Sequence, residues 1–187
     1  PTDEGVQGAR VALQDNQTTG RFLNQTYSLH EVLVPDEAGV LTAARAMLTA
    51  GQRVIVTDLP PPLLLRVADL PEARDAVLLD ATQDDDALRG ANCRRTVLHL
   101  LPSRAMLADA LMQYLAVKRW RSILLVQGTA DADRAYADAL RRSARKFGLR
   151  LAADKPWTYQ PGAQRTDTGH MGTAAEAARF TQGLSYD

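Results

Sequence analysis

The sequence predicts an α/β fold, a Rossmann-like parallel sheet with flanking helices, and three observations support this. Hydrophobic residues make up 45% of the 187 residues, enough to form a buried core. Short apolar runs typical of strands alternate with stretches whose apolar residues recur at helical spacing. Residues 120–157 read as one complete strand–loop–helix–strand unit, and such units build parallel sheets.

The elements can be assigned in chain order from these patterns. The first helix is expected over residues 5–15, where Val6, Ala9 and Leu13 share one face. The expected strands are residues 27–34, 53–57, 76–79, 96–101, 122–126 and a strand that begins over 149–152. Between them, Asp36 and Ser103 are expected to cap helices, and Gly51 and Gly148 to end them.

Both ends of the sequence look incomplete as a domain. The chain opens on a helix without a strand before it, and residues 183–187 resemble the lead-in to a further strand. After residue 157 the pattern weakens to turns and one short Ala-rich helix near 173–179. We therefore expect these residues to be part of a longer chain. The best internal boundary lies at 116–121, between a long helix and a new strand.

Composition and motifs exclude several classes of function. Lys and Arg together number 22, as do Asp and Glu, and this zero net charge argues against a general nucleic-acid binder. No apolar run approaches the roughly 18 residues of a membrane helix. The phosphate-binding glycine patterns, the serine-hydrolase motif and the zinc motifs are absent from the sequence. We therefore expect neither an enzyme nor a cofactor.

Metal binding is the weaker interpretation of the charged side chains. The acidic groups 84–86 and Asp131 with Asp133 could hold a hard cation, but neither has calcium-loop spacing with a closing Glu. Carboxylates at helix starts explain them more simply. The three histidines are scattered, and two of them, His30 and His99, are best interpreted as structural residues of strands. No metal site is expected.

A ligand site is expected at the loops that follow the strands, because a doubly wound sheet brings them to one edge. Hydroxyls and backbone amides there suit a small polar ligand. Helix capping is the alternative role for each of these residues taken alone. Tyr136 could form an aromatic wall or belong to its helix's apolar stripe. The candidate residues are Asp58, Leu59, Pro60, Ala81, Thr82, Ser103, Thr129 and Tyr136.

Several segments together resemble the type I periplasmic solute-binding proteins of ABC transporters, in the branched-chain-amino-acid-binding group. They are GVQGARVALQDNQTTGRFLNQTYSLHEV, AARAMLTAGQRVIVTDLPPPLLLRVAD, AVLLDATQDDDALRG and LLPSRAMLADALMQYLAVKRWRSILLVQGTADADRAYADAL. Longer motifs resemble a subgroup associated with pyrroloquinoline-quinone-dependent alcohol oxidation. Those motifs are TTGRF, ALRGANCRRTVLH, PSRAMLADAL, KRWR and WTYQPGAQRTDTGH.

The resemblance implies a periplasmic, non-enzymatic protein that binds a small molecule between two lobes and docks on ABC permease subunits in the inner membrane. Residues 1–117 would form the first lobe, without its first strand, and residues 118–187 the start of the second. Matching positions put ligand contacts at residues 58–60 and at Ala81 and Thr82, with Tyr136 as the second-lobe aromatic. The subgroup adds a quinone-dependent dehydrogenase system as a partner.

The first ligand loop departs from the family pattern. Pro60, Pro61 and Pro62 have no N–H to offer, and Asp58 would repel a carboxylate while favouring a cation, an amine or a hydroxyl donor. An amino acid is therefore not the expected ligand. A partner-binding or sensory protein on the same fold remains the main alternative, and an enzyme on a Rossmann-like sheet is the weakest one.

Overall fold

A computed structural model describes residues 4–157 and 181–187, and the chain divides into two compact units. The first comprises the described residues of Pro1–Gln83 and Ala87–Leu101, and the second those of Asp84–Asp86 and Pro102–Asp187. Each unit has its own parallel sheet, so the α/β prediction is confirmed. The expectation of a single sheet edge is not met, because the five strands belong to two sheets.

The described residues form five α-helices and five strands, with single 3₁₀ turns at Pro71–Ala73 and Asp86–Arg89. The helices are α1 (Glu4–Leu23), α2 (Glu37–Thr49), α3 (Pro61–Ala68), α4 (Arg104–Val117) and α5 (Asp131–Lys146). The strands are β1 (Val54–Thr57), β2 (Val77–Asp80), β3 (Val97–His99), β4 (Ser122–Gln127) and β5 (Arg150–Pro156).

The first unit is built on the parallel sheet β1-β2-β3. Ile55, Leu78 and Val97 are cross-strand neighbours on one face and pack into the core. Leu48 of α2 and Leu64 of α3 are almost fully buried in the same cluster. The core of this unit therefore lies between one face of the sheet and helices α2 and α3. On the opposite face, three side chains are exposed, those of Val54, Val56 and Leu98.

The strand predicted over residues 27–34 is not formed, and this prediction was wrong. The segment has no regular secondary structure, and Leu33 is 78% exposed. A strand needs a neighbour to satisfy its backbone groups, and β-type composition alone does not supply one. Helix α1 is also longer than predicted, because it continues to Leu23.

The second unit contains the strand–helix–strand segment predicted over 120–157. β4 and β5 pair in parallel, from Ser122 with Arg150 to Gln127 with Pro156. Helices α4 and α5 pack on each other, and Asp109 joins them by accepting hydrogen bonds from Ser143 Oγ (2.7 Å) and Lys146 Nζ (2.5 Å). These two bonds, that from Lys146 first, hold the pKa of Asp109 below its ordinary value.

The predicted helix ends are confirmed. Asp36 Oδ1 accepts the Gly39 amide at 2.7 Å, and Ser103 Oγ accepts the Met106 amide at 3.3 Å. Gly51 and Gly148 follow helix ends with φ of 94° and 71°, in the left-handed region that favours glycine.

The structure does not test two of the expectations. The turns and short helix expected between 158 and 180 lie outside the described residues. A lobe is defined by its motion on binding ligand, so the lobe boundary at 117/118 stays a prediction. Within the described residues, no helix combines the length and apolarity needed to cross a membrane.

Candidate functional site

The carboxyl ends of β1, β2 and β3 form the clearest candidate site, and they lie in register. Thr57 is opposite Asp80, and Asp80 is opposite His99. Adjacent strands are about 4.8 Å apart, so three side chains from distant parts of the chain meet within roughly 10 Å. In parallel sheets this edge is where ligands bind.

Asp80 is the centre of this edge and is fully buried. Its Oδ1 accepts the backbone N–H groups of Thr82 (3.3 Å) and Gln83 (3.1 Å). Its Oδ2 lies 2.7 Å from Nδ1 of His99. A buried carboxylate needs such partners, because burial without them costs several kcal/mol, on the order of the full desolvation penalty.

The imidazole of His99 is oriented by this contact. Asp80 accepts hydrogen bonds and a carboxylate has no proton to donate, so Nδ1 carries the ring proton. The side chain of His99 is 12% exposed, and none of residues 4–157 and 181–187 hydrogen-bonds to its Nε2. In the neutral ring, Nε2 is thus a hydrogen-bond acceptor on a fixed imidazole.

The residues predicted at the end of β1 have three different environments. Asp58 is exposed, whereas Leu59 packs against the core of the first unit. Pro60 precedes α3, and its carbonyl accepts the amides of Leu63 and Leu64 at 3.0 Å. Pro61 and Pro62 occupy the first two positions of α3, so the start of this helix has lost two N–H donors.

The residues predicted at the end of β2 already use their backbone donors. The amide of Ala81 donates to the carbonyl of Thr57 at 3.1 Å, and the amide of Thr82 donates to Asp80. What Thr82 leaves open is its exposed side chain, whose Oγ1 accepts from the side chain of Gln83 at 3.1 Å. This loop therefore presents side chains rather than free amides.

Ser103 caps α4 within the second unit and is 3% exposed. The neighbouring amides of this helix start are also taken. The Arg104 amide donates to the Asp84 carbonyl at 3.0 Å, and the Ala105 amide donates to Asp86 Oδ1 at 2.8 Å. The capping role, one of the two considered from the sequence, accounts for the contacts of Ser103.

Thr129 lies in the loop after β4, and Tyr136 lies in α5, both in the second unit. Thr129 is exposed, and Tyr136 is half-buried near the start of α5. Gly128 leaves room for the side chain of Asp133, because a Cβ at position 128 would stand 2.6 Å from Cγ of Asp133. Asp133 in turn accepts the Ala130 amide at 3.2 Å.

The acidic groups act as ion-pair and capping residues. Asp84 pairs with Arg104 at 2.9 Å and Asp86 with Arg142 at 3.0 Å, while Asp131 pairs with Arg134. In the described part of the chain, no three His, Cys, Asp or Glu side chains form a group that could hold a metal ion.

A cavity of about 370 Å³ in the second unit is not a polar site. Asp187 supplies the one carboxylate among the described residues that line it, and this group accepts the amides of Arg121 (2.6 Å) and Ser122 (2.8 Å). The Ser122 and Arg121 amides hold the pKa of Asp187 below its ordinary value. Apart from Asp187, the cavity is lined by Leu111, Met112, Leu115, Ile123, Leu124, Leu125, Leu140, Leu151 and Tyr186.

Sequence reasoning missed Asp80 and the part that His99 takes at this edge. The signal was a carboxylate at the last position of a central strand, in the segment AVLLD. It became interpretable only with the strand order, which sets Asp80 opposite a histidine 19 positions away.

Several solved structures with a similar fold are ABC transporter proteins. One from Desulfitobacterium hafniense is 18% identical with a TM-score of 0.64, over 84% of this chain and 47% of that one. A second from that organism, in complex with Leu, is 16% identical with a TM-score of 0.63, over 97% and 59%. A branched-chain amino acid ABC transporter periplasmic ligand-binding protein from Burkholderia xenovorans LB400 is 14% identical with a TM-score of 0.60, over 78% and 37%.

These likenesses define the fold and its extent. Neither a family model nor a curated protein sequence matches the chain. The chain spans between 37% and 59% of the lengths of the three structures. The described residues therefore have the α/β fold of type I periplasmic binding proteins, over about half of such a protein.

Proposed function

We propose that the chain belongs to the substrate-binding component of an ABC transporter, which captures a small polar ligand between two lobes. The observation that carries the proposal is the fold, shared over 78–97% of this chain with such proteins at TM-scores of 0.60–0.64. The edge formed by β1, β2 and β3 adds chemistry suited to a small ligand, because Asp58 and His99 offer polar atoms there.

In this proposal the protein is periplasmic, docks on permease subunits in the inner membrane and catalyses no reaction. Transport needs only that the ligand-bound form differ from the free form, so lobe closure is sufficient as a mechanism.

The association with pyrroloquinoline-quinone-dependent alcohol oxidation is a finer proposal, and it rests on sequence motifs alone. The motifs at residues 18–22, 87–99, 102–111 and 118–121, with the segment 157–170, carry it. A quinone-dependent dehydrogenase system would then be the functional partner, and the ligand would come from the chemistry of alcohol oxidation.

A thermal-shift screen of the full-length protein that contains this chain tests the proposal. The panel holds amino acids, short alcohols, aldehydes and acids, pyrroloquinoline quinone, Ca²⁺ and lanthanide ions. A ligand at 100 times its Kd stabilises the native state by about 2.7 kcal/mol, which is several degrees for a protein of this size. Stabilisation by one chemical class supports the proposal.

Two variants test the binding residues. Asp58→Ala and Tyr136→Ala should weaken binding without unfolding the protein, because Asp58 is exposed and Tyr136 is only half-buried. Glu72→Ala, another exposed carboxylate of the first unit, is the matched control for Asp58. Unchanged affinity in both variants would contradict the site assignment.

A partner-binding or sensory protein on the same fold is the second candidate. The observation in its favour is the start of α3, where Pro61 and Pro62 remove donors that a ligand could use. A full panel without any stabilising compound, together with a specific protein captured by the full-length chain, would favour it over the transport function.

A further inference from the structure

We propose that His99, positioned by Asp80, contacts the ligand and makes this edge select a hydrogen-bond donor, a hydroxyl or an ammonium, over a carboxylate. The inference deepens the proposed function and rests on it, since it concerns the ligand of the same site. It assigns a contacting residue, His99, and a positioning residue, Asp80.

The first step is the fixed orientation of the imidazole. Nδ1 is 2.7 Å from a carboxylate that two backbone amides also hold, so the ring cannot turn without losing a buried hydrogen bond. Nε2 is the remaining polar atom of a side chain that is 12% exposed. An acceptor is thus held at the ligand edge of the sheet.

The second step is the supply of donors at the same edge. Pro61 and Pro62 have no N–H. The amide of Ala81 donates to the carbonyl of Thr57. The amides of Thr82 and Gln83 both donate to Oδ1 of Asp80. A carboxylate ligand needs N–H donors. The exposed carboxylate of Asp58 adds a further acceptor and a negative charge that repels anions.

Arg89 is a cation that has to be weighed against this selectivity. Its Nη2 donates to the carbonyl of Leu101, and its Nη1 is buried without a hydrogen-bond partner among the described residues. Because Nη1 is closed off from solvent in this arrangement, it is not a donor open to a ligand. An arrangement that opened Nη1 would let Arg89 bind an anion. This is the competing explanation, and the test includes it.

The test uses three probes that share one carbon skeleton. They are 3-methylbutan-1-ol, 3-methylbutylammonium and 3-methylbutanoate, titrated calorimetrically into the full-length protein. The proposal expects the ammonium and the alcohol to bind at least tenfold more tightly than the carboxylate. Equal or tighter binding of the carboxylate would overturn it, and loss of that binding in Arg89→Gln would transfer ligand recognition to Arg89.

Two substitutions separate the contact from a structural effect. His99→Asn keeps an N–H for Asp80 but removes Nε2. It should weaken binding of the ammonium about five- to tenfold, which corresponds to the loss of one hydrogen bond. Asp80→Asn keeps an acceptor for the two amides but donates to Nδ1, which moves the ring proton to Nε2. The ammonium, which can only donate, should then lose affinity, while the alcohol, which can also accept, should lose less.

Nitrogen-15 NMR of the imidazole supplies a readout that a structural role would not change. The free protein should show the Nδ1–H tautomer, Asp80→Asn the other tautomer, and the ammonium should shift the Nε2 resonance of the wild type. His30→Asn, an exposed histidine of the same unit, is the control and should bind all three probes like the wild type.

The outcomes distinguish this inference from the proposed function. If none of the three probes binds, or if Nε2 does not respond to a bound ammonium, the inference is overturned. The proposed function then survives only if another compound of the wider panel stabilises the protein. If the whole panel fails, both are overturned.

Discussion

Removing the carboxylate of Asp80 should destabilise the first unit far more than removing any exposed carboxylate. Asp80→Ala takes away the acceptor of two backbone amides and of His99 Nδ1 at a fully buried position. Each long amide bond contributes about 1 kcal/mol, and the short bond to the imidazole about 1.5–3 kcal/mol. Their sum agrees with the loss of stability, about 3–5 kcal/mol, that follows when one partner of a buried pair is removed.

Urea denaturation of the full-length protein, followed by circular dichroism, measures this loss. A domain is stable by about 5–15 kcal/mol, so the transition of the variant should move visibly to lower urea. Asp80→Asn keeps an oxygen for the amides of Thr82 and Gln83 and should lose only about 1–2 kcal/mol. Asp75→Ala, an exposed carboxylate of the same unit, should stay within about 0.5 kcal/mol of the wild type. If Asp80→Ala did the same, the reasoning on the buried network would be refuted.

Three further predictions address the rest of the fold. Gly128→Ala should lower the free energy of unfolding by about 1 kcal/mol, because the new Cβ displaces the side chain of Asp133 that caps α5. In an Asp133→Ala background the same change should cost almost nothing, which a double-mutant cycle measures. Equal losses in both backgrounds would contradict the clash between the Cβ and Asp133. Lys146 holds the pKa of Asp109 below its ordinary 3.8, so the stability that Asp109 contributes is full above pH 3.8 and lost as the pH falls through the lower folded value. The urea midpoints of the wild type and of Asp109→Asn should therefore converge once the pH is below the pKa of Asp109 in the folded protein. A difference between the two midpoints that stays constant with pH would contradict this prediction. Leu64→Ala, at a fully buried position, should lower the free energy of unfolding measured by calorimetry by about 2–5 kcal/mol. A substitution at an exposed position should lower it by less than about 0.5 kcal/mol.

Local signals were sufficient for much of the fold. The caps Asp36 and Ser103 and the stop signals Gly51 and Gly148 act on backbone groups within a few residues, so the sequence contains all that they need. The strand expected over 27–34 failed for the opposite reason. Its formation depends on a pairing partner elsewhere, which composition does not show.

The candidate site could be predicted from the sequence only in part. The strand ends could be found, and with them Asp58, Ala81 and Thr82. Which side chains meet is set by strand order and register, so the contact between Asp80 and His99 could not be predicted. Likewise, the use of the amides of Ala81 and Thr82 by neighbouring groups follows from packing, not from residue type.

The proline start of α3 has a consequence for how a ligand would be selected. Each proline confines its own φ to about −65°, as the −58° of Pro60 illustrates, and also restricts the residue before it. A loop of this kind has little freedom left to lose on binding, where an ordinary loop would lose about 1–2 kcal/mol of backbone entropy for each residue that becomes ordered. The same stiffness prevents it from reshaping around a poorly matched molecule. Under the proposed function, discrimination at the end of β1 would therefore be established when the chain folds, and a ligand would either fit a template already in place or leave quickly.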